Sequence, residues 1–284
     1  MRTDLAVVGH LGRDVSYRDS ERVDAFYGGS LLHWMNGFSF FRARAAAVTS
    51  VALGQVRPVL DLWTRLGHDV AGVADALEMP EFHCRYRNGV FDEASFEALH
   101  VPDLGTSLIT SGVEEVGWLH VCPLPIPQLK TVLDGLDDPS VTVSLQTHGS
   151  LFRDEGSREC FMRTCGRAEV VFFSASEARL VSGEDEIERA CEFTSRLARH
   201  VFVTDEIRAR VIVDGQVGPW VPSFPTYVVD PTGAGDTFAG AAVGALLSGA
   251  SPSSTLLAAS ALATHAVGGS LGRALYERLD SALS

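Results

Sequence analysis

The sequence is poor in basic residues. Lys and Arg number 23 against 36 Asp and Glu, which gives the 284-residue chain a formal net charge of −13. Nucleic acids and anionic membranes both require concentrated positive charge on their partner, so neither is expected to bind this protein. A small anionic ligand stays compatible with the sequence if local groups offset the overall charge.

Paired cysteines and long apolar segments are also missing. The five cysteines include no CxxC pair, which argues against a structural zinc site and favours small buried thiols; they are Cys84, Cys122, Cys160, Cys165 and Cys191. The apolar stretches near the C-terminus are interrupted by Asp236 and Pro252, which favours buried helices over a membrane span. The first ten residues contain Asp4 and His10 and lack the apolar core of a signal peptide. We therefore expect a soluble, cytoplasmic protein.

No repeat, low-complexity tract or linker breaks the chain, and 46% hydrophobic with 21% charged residues is typical of a globular protein. Short apolar runs alternate with helical patterns, which indicates βαβ units. The predicted strands are Leu5–Val8, Ala46–Val51, Trp118–Cys122, Val141–Leu145, Val170–Phe173 and Val201–Thr204, and the predicted helices include Pro58–Leu66, Pro127–Leu136 and Ile187–Ala198. We predict one α/β domain over residues 1–284, with a mainly parallel central sheet flanked by helices.

Two polar, partly alternating stretches do not fit this rhythm. Residues 15–27 and 82–101 are predicted to form antiparallel strands outside the main sheet, either as a small lid over an active site or as two ordinary surface hairpins. Their aromatic residues would stack on a ring of a ligand or pack the lid itself; they are Tyr17, Phe26, Tyr27, Phe82 and Tyr86. The lid interpretation implies closure over a bound substrate.

The last third of the chain is predicted to contain a hairpin, a glycine turn and two helices. Val211–Val221 is predicted to be a hairpin that turns at Asp214 and Gly215, a favoured two-residue turn. Tyr227–Val229 is predicted to end a further strand, and a glycine turn then leads into an Ala/Gly-rich helix up to about Gly249. A second helix is predicted over Pro252–Val267.

The string DPTGAGDTF at residues 230–238 is the most informative segment. Gly233 and Gly235 allow the backbone to turn tightly and to approach a ligand without interference from a Cβ atom. The unpaired N–H groups of the first helical turn, at the positive end of the helix dipole, would bind a phosphate or the charge that develops during its transfer. Asp236 would lie in that first turn, either as the base that takes a proton from a hydroxyl or as an ordinary first-turn acid.

This string resembles the signature of the ribokinase family of carbohydrate kinases, the phosphofructokinase-B (PfkB) type, and the order of elements agrees with that family over nearly the whole chain. The resemblance implies that Gly233, Ala234 and Gly235 form an anion hole for the transferred phosphoryl group. Asp236 would be the catalytic base that activates the substrate hydroxyl attacking the γ-phosphate of Mg-ATP. Asp230 matches a family acid that positions substrate or organises a monovalent cation such as K⁺.

The N-terminal half agrees with the family less sharply. Asp14 follows the first strand, where the family places a carboxylate that binds substrate hydroxyls, although a solvated loop acid is the alternative. Gly28 and Gly29 resemble paired glycines that let the substrate lie close to the backbone. Three residues beyond that pair the family usually has an Asn, whereas this chain has His33, with an Asn only at Asn36. The resemblance thus implies a substrate site at these positions and leaves the substrate open.

The nucleotide side also departs from the family pattern. The family's Asn-x-x-Glu, which orders metal-bound water and phosphate, is replaced by Ser174 and Glu177, a pair that a helix capping box also explains. The family's Thr-x-Gly-x-x-Gly turn keeps Thr204 but has Glu206 and Ala209 where the glycines would stand. Nucleotide binding is expected at these positions, with Glu177 holding Mg²⁺ through water, while the identity of the donor is left open.

One further polar loop follows the strand at Val141–Leu145. Gln146 and Arg153 resemble a Gln…Arg loop found in some family members, in which they would contact a substrate hydroxyl and a phosphate. A polar loop at the end of a strand is also expected without any ligand.

Three functions follow from these patterns. The leading one is an ATP- and Mg²⁺-dependent kinase that acts on a small polyhydroxylated substrate such as a sugar, an inositol or a nucleoside. The second is a protein that binds such a ligand without turnover. A dinucleotide-dependent dehydrogenase is disfavoured, because no GxGxxG follows the first strand. Because family lids pair between chains, the resemblance also implies a homodimer.

Overall fold

The computed structural model describes residues 3–18, 21–87, 90–92, 95–104, 116–152, 154–224 and 226–269. The strands are β1 (Leu5–Val8), β2 (Gly12–Arg18), β3 (Glu21–Gly28), β4 (Ala45–Val51), β5 (Val73–Asp75), β6 (Glu81–Arg87), β7 (Val90–Phe91), β8 (Glu97–Leu99), β9 (Trp118–Val121), β10 (Thr142–Gln146), β11 (Val170–Ser174), β12 (His200–Asp205), β13 (Arg208–Val213), β14 (Gln216–Val217) and β15 (Val221–Pro222). The helices are α1 (Ser30–Phe38), α2 (Leu53–Arg65), α3 (Ile126–Asp134), α4 (Glu155–Cys165), α5 (Ala175–Ser182), α6 (Ile187–Thr194), α7 (Ala234–Leu247) and α8 (Pro252–Val267).

The larger sheet has the strand order β14-β13-β12-β11-β10-β9-β1-β4-β5, with β15 beside β13. All neighbours from β12 to β5 are parallel, and the hairpins of β13, β14 and β15 close the other edge in antiparallel fashion. Helices cover both faces, so the central strands are apolar on both sides; β1, with the sequence LAVV, is buried at every position. The predicted parallel α/β architecture is confirmed.

Each face of this sheet has its own hydrophobic core. On one face Leu5 and Val7 of β1 pack with apolar residues of α1, α2, α7 and α8. On the other face Ala6 and Val8 pack with residues of α3, α4, α5 and α6. Alternate residues of one strand thus serve opposite cores, which is the period-two pattern of a strand buried on both sides. The carboxyl ends of the parallel strands are left to form the site.

The second sheet is built from the two stretches that departed from the α/β rhythm. Its order is β3-β2-β6-β7, with β8 alongside β6. β2 and β3 are antiparallel, as expected, but β2 and β6 are parallel, so the purely antiparallel prediction is wrong at this pair. The cause is the long connection between β3 and β6, which passes through the main sheet and returns to β2 in the same direction.

Most local predictions agree with the structure to within two residues, and three do not. Tyr227–Val229 is not a strand: Tyr227 is 84% exposed, and the Val229 N–H donates to the carbonyl of Val267 at the end of α8 instead of a neighbouring strand. The helix predicted to begin at Pro58 begins at Leu53, with Pro58 inside it. The helix predicted over Ile187–Ala198 stops at Thr194, where tight turns follow.

The other local features are as predicted. Asp214 and Gly215 form the two-residue turn between β13 and β14, with φ angles of 48° and 78°. Four cysteines are buried, whereas Cys160 is only partly so. Within the described residues, no helix is both long and apolar enough to span a membrane.

Candidate active site

The helix start predicted from the signature is present and is shaped by close contacts. Gly233 is the N-cap of α7 and has a φ of 73°, in the left-handed region that favours glycine. A Cβ atom on Gly233 would lie only 2.1 Å from Cγ of His33, so a larger residue would displace that ring. Asp236 lies in the first turn of α7, at the positive end of the helix, where the Ala234 N–H donates to the carbonyl of Pro231 at 3.2 Å.

Asp236 is held by a side chain from another strand. The Gln146 side-chain amide at the end of β10 donates to Oδ1 of Asp236 at 2.8 Å. Burial raises the pKa of Asp236 to about 6, with the nearby Asp14 charge adding to the shift and the positive charge of His33 opposing it. A carboxylate with a pKa near 6 is better suited to accept a proton than one with the ordinary value.

Asp14 and His33 form a buried ion pair next to Asp236. His33 Nε2 lies 2.6 Å from Oδ2 of Asp14, and the Gly29 N–H donates to the other carboxylate oxygen at 2.9 Å. Burial alone would lower the pKa of His33, but the hydrogen bond and charge of Asp14, with the charges of Asp236 and Asp230, raise it overall. The neighbouring carboxylates of Asp14 and Asp236 therefore favour the protonated form of the His33 imidazole.

The paired glycines are required by these side chains. A Cβ on Gly28 would lie 2.1 Å from the carboxylate carbon of Asp14. Gly29 has a φ of 86°, and a Cβ there would lie 2.4 Å from the carbonyl oxygen of His10. The sequence predicted that a substrate lies close to these two glycines. In the structure the groups that lie close to them are the Asp14 carboxylate and the His10 carbonyl.

A cavity of about 840 Å³ opens over this cluster, which is within the usual range for small-molecule sites. Its polar wall includes Asp14, Gly29, His33, Gly233 and Asp236, together with His10, Ser30 and Thr232. Apolar residues from the second sheet and from the loops after β9 and β10 also line it: Phe82, Phe96, Pro123, Pro125, Ile126 and Leu151. The ring of Phe96 packs on His148, with centroids 4.6 Å apart.

The second sheet touches the signature directly. Tyr86 on β6 lines the cavity, and its hydroxyl hydrogen-bonds Oγ1 of Thr232 at 2.5 Å. Asp230 accepts from the Thr232 N–H at 2.9 Å, which shapes the turn before α7. The sequence predicted Tyr86 to stack on a ligand ring or to pack the lid, and it contained no signal for this contact with Thr232.

The predicted nucleotide-side residues are close together at the ends of β11 and β12. Ser174 and Glu177 form a complete capping box: the Glu177 N–H donates to Oγ of Ser174 at 3.2 Å, and the Ser174 N–H donates to Oε2 of Glu177 at 2.8 Å. Thr147 also donates to Glu177 Oε2, at 2.7 Å. Thr204 pairs with Ser174 across the two strands. The structure therefore shows a structural role for the Ser174–Glu177 pair.

Three further predicted residues have different outcomes. Gln146, expected to contact a substrate hydroxyl, contacts Asp236 instead. Asn36 is buried in α1 and is not part of the cavity wall. Arg153 lies outside the described residues. The sequence contained no signal for the Gln146–Asp236 contact, because the two residues are 90 positions apart.

The described residues contain no group of three or more His, Cys, Asp or Glu arranged to hold a metal ion. A magnesium ion commonly uses one or two carboxylates and takes its other ligands from water and phosphate. Asp236, in the cavity wall, is a carboxylate compatible with an ion that arrives with a phosphorylated ligand.

Comparisons with known proteins agree with this fold. Residues 144–277 match the pfkB family carbohydrate kinase model. A cytidine kinase from Thermococcus kodakarensis is 25% identical over 245 residues, 84% of this chain and 86% of that protein. A ribokinase II from E. coli, solved with ATP and Mg²⁺, superposes with a TM-score of 0.76 at 16% identity over 99% of this chain and 100% of its own. A nucleoside kinase from Burkholderia thailandensis, solved with inosine, gives 0.73 at 15% identity and covers 98% of each chain. The resemblance found in the sequence is confirmed: the chain has the ribokinase-like fold, and its residues 144–277 match the pfkB family carbohydrate kinase model.

Proposed function

We propose that this protein transfers the γ-phosphate of ATP to a hydroxyl of a nucleoside, with Asp236 as the general base. The observation that carries the proposal is the position of Asp236, in the first turn of α7 and in the wall of the cavity, with its pKa raised to about 6 by burial. Such a carboxylate would take the proton from a substrate hydroxyl as that oxygen attacks phosphorus.

The start of α7 supports the second part of the reaction. The backbone N–H groups of Gly233, Ala234 and Gly235 precede Asp236 at the helix N-terminus, and that of Ala234 donates to the carbonyl of Pro231 at 3.2 Å. In the proposed mechanism the N–H groups of this turn stabilise the charge on the phosphoryl group during transfer, which requires Ala234 to exchange this partner for a phosphoryl oxygen. Because the cavity is walled by the second sheet, closure of that sheet would exclude water and prevent wasteful hydrolysis.

A nucleoside is proposed as the substrate because the cavity offers two kinds of wall. Asp14 and His33 provide polar groups suited to sugar hydroxyls, and Phe82 and Phe96 provide aromatic surface suited to a flat base. The similarity to a cytidine kinase and to a nucleoside kinase that binds inosine supports this choice. A free sugar or an inositol would use only the polar wall.

ATP with Mg²⁺ is proposed as the donor, supported by the fold shared with the ribokinase II solved with those ligands. The metal would neutralise charge on the phosphates. Ser174, Glu177 and Thr204 at the ends of β11 and β12 would face the nucleotide, with Glu177 contacting the ion through water. Asp230 would organise a monovalent cation such as K⁺ near the turn.

We also propose a cytoplasmic location and a homodimer formed through the second sheet. Sedimentation velocity would test the homodimer.

A ligand-binding protein without turnover is the second candidate, and one observation favours it. In the turn between β12 and β13, the Glu206 N–H donates to the carboxylate of its neighbour Asp205 at 2.9 Å. That amide is therefore engaged by an acidic side chain at the place where the family has a glycine turn near the nucleotide.

The test is release of ADP from Mg-ATP in the presence of ribonucleosides, ribose, fructose, inositols and aminosugars. We expect a nucleoside to stimulate ADP release, and Asp236→Asn to lower kcat by about 10²–10⁴-fold while the nucleoside still binds. Binding of ATP without turnover on the whole panel would favour the second candidate. If no nucleotide binds, the kinase proposal is wrong.

A further inference from the structure

His10 lies within the candidate active site, but its side chain takes no part in the hydrogen bonds that join Asp14 to His33 and Gln146 to Asp236. It follows β1 at the carboxyl edge of the main sheet, and it belongs to the cavity wall with Asp14, Ser30 and Asp236. Its carbonyl accepts from the Leu31 N–H at 3.2 Å, which ties it to the first turn of α1. The residue is only 3% exposed, so its position is determined by packing.

The ring of His10 differs from those of the other buried histidines. His33 is paired with Asp14, His68 with Ser39, and His120 with Ser144. Within the described part of the chain, neither ring nitrogen of His10 has a hydrogen-bond partner, and both are covered from solvent. A buried polar group without a partner destabilises the folded protein, so a partner is expected when the ligand is bound.

The chemistry of the ring limits what that partner can be. Burial lowers the pKa of His10 to about 4, so the imidazole is neutral at pH 7 and presents one N–H donor and one nitrogen acceptor. A neutral ring offers no charge to bind an anion. A hydroxyl, which both donates and accepts, is its natural complement. The χ2 torsion of a histidine is broad, so a small rotation turns one nitrogen toward a ligand in the cavity.

We propose that His10 binds a hydroxyl of the substrate's sugar, other than the one that is phosphorylated, and so contributes to the choice of substrate. This rests on the proposed function, because it assumes a hydroxylated substrate in the cavity. The hydroxyl fills the hydrogen-bonding capacity that the protein leaves unmatched, while Asp236 acts on a different oxygen.

The test compares His10→Phe with the wild-type protein, using cytidine, 2′-deoxycytidine and 3′-deoxycytidine as substrates. Phenylalanine keeps the ring and removes both nitrogens. We expect the KM for cytidine to rise at least tenfold, with the KM for ATP unchanged and no loss of thermal stability. For the deoxy analogue that lacks the bound hydroxyl, the two proteins should have the same KM.

His68→Phe serves as the matched control. His68 is also buried, but its ring nitrogens are paired with Ser39 and with the Ala45 N–H, and it is not part of the cavity wall. This variant should lose thermal stability and keep its KM values. A role for His10 in packing alone would give the same pattern for His10→Phe, and that result would overturn the proposal.

Misfolding of His10→Phe and inactivity of the wild-type protein can each be distinguished from failure of the proposal for His10. If His10→Phe does not fold, His10→Asn and His10→Gln keep a donor and an acceptor at different distances and are measured in the same way; unchanged KM values would overturn the proposal. If the wild-type protein phosphorylates none of the nucleosides, the proposed function fails. The role of His10 is then decided by calorimetric binding of the same nucleosides and of ribose. Equal affinities in both proteins, or no binding, would overturn it.

Discussion

At the scale of single residues, the site depends on three charged side chains that burial brings together. Asp14, His33 and Asp236 come from β2, α1 and α7. The charges of Asp14 and Asp236 raise the pKa of His33, and the charge of Asp14 adds to the rise that burial causes in the pKa of Asp236. Removing one member of a buried ion pair is costly, since the remaining charge is left without compensation. The protonation of this cluster therefore controls both activity and stability.

The pH dependence of kcat/KM follows from Asp236. A base must be ionised to accept a proton, and burial raises the pKa of Asp236 to about 6. We expect kcat/KM to fall about tenfold per pH unit below pH 6 and to level off above it. A profile that stays flat down to pH 4.5 would show that Asp236 is not the base.

The contribution of Asp236 to the stability of the folded protein depends on pH in the opposite direction. Because its pKa is higher in the folded state than in the unfolded state, the folded protein binds the extra proton, and this contribution is lost as pH rises through about 6. Asp236→Asn should therefore be more stable than the wild-type protein at pH 7.5, by about 3 kcal/mol. The difference should vanish below about pH 4, as measured by urea unfolding.

The effect of replacing Gly233 can be compared with the effect of replacing Gly215. Gly233 and Gly215 both have positive φ angles, 73° and 78°, but a Cβ at Gly215 would meet nothing within 4 Å, whereas one at Gly233 would overlap His33. Gly215→Ala should cost about 1 kcal/mol from backbone strain alone and keep full activity. Gly233→Ala should cost more and lower kcat at least a hundredfold. Equal effects of the two changes in urea unfolding and kinetics would contradict this.

At the scale of elements, the site depends on how closely α1 and α7 approach. Cβ atoms on Gly37 and Gly240 would lie 2.1 Å and 2.0 Å from the carbonyl oxygens of Thr237 and Trp34 on the facing helix. Thr237 also donates from its hydroxyl to the carbonyl of His33, at 3.3 Å. Gly37 of α1 and Gly240 of α7 therefore set the distance between the helix that begins after Gly233 and the helix that carries His33.

Gly240→Ala tests this contact. The new methyl group would separate the helices, so we expect a loss of about 2–3 kcal/mol in the free energy of unfolding. Gly54→Ala is the matched control, since Gly54 lies in α2 with nothing within 4 Å of an added Cβ. That change should stabilise the protein by about 0.5–1 kcal/mol through helix propensity. Urea unfolding of both variants measures the difference, and destabilisation by both would refute the explanation.

At the scale of the whole molecule, two sheets meet over one cavity. The main sheet supplies Asp236 and its partners through loops at its carboxyl edge, and the second sheet supplies Phe82 and Tyr86. The hydrogen bond from Tyr86 to Thr232 joins the two across 146 residues of sequence. If the second sheet acts as the lid, this bond holds it against the signature.

Tyr86→Phe removes that bond and keeps the ring. In the proposed kinase we expect a rise of about threefold or more in the KM for the nucleoside, together with more ADP released per product formed, because water reaches the site more often. Tyr17→Phe is the control, since the Tyr17 hydroxyl pairs with His83 within the second sheet, 3.2 Å away. Coupled assays of ADP and phosphorylated product measure the ratio. If Tyr86→Phe leaves the ratio of ADP to phosphorylated product unchanged, the hydrogen bond from Tyr86 to Thr232 does not hold the second sheet over the cavity.

Local pattern was enough to predict several features of this protein. Apolar runs of four to six residues predicted the parallel strands, because a strand buried on both faces needs such residues at every position. The glycine turn and Asp236 predicted the start of α7, since both are properties of neighbouring residues. The hairpin at Asp214 and Gly215 followed for the same reason.

Only the tertiary structure decided the rest. Tyr227–Val229 has the composition of a strand, but among the described residues no strand lies beside it, and its backbone bonds to the end of α8. The pairing of Asp14 with His33, of Gln146 with Asp236 and of Tyr86 with Thr232 joins residues far apart in the chain. Such contacts depend on how whole elements pack, which no local run of residues encodes. The unpartnered ring of His10 became visible for the same reason, because an absent partner can be recognised only when all neighbours are in place.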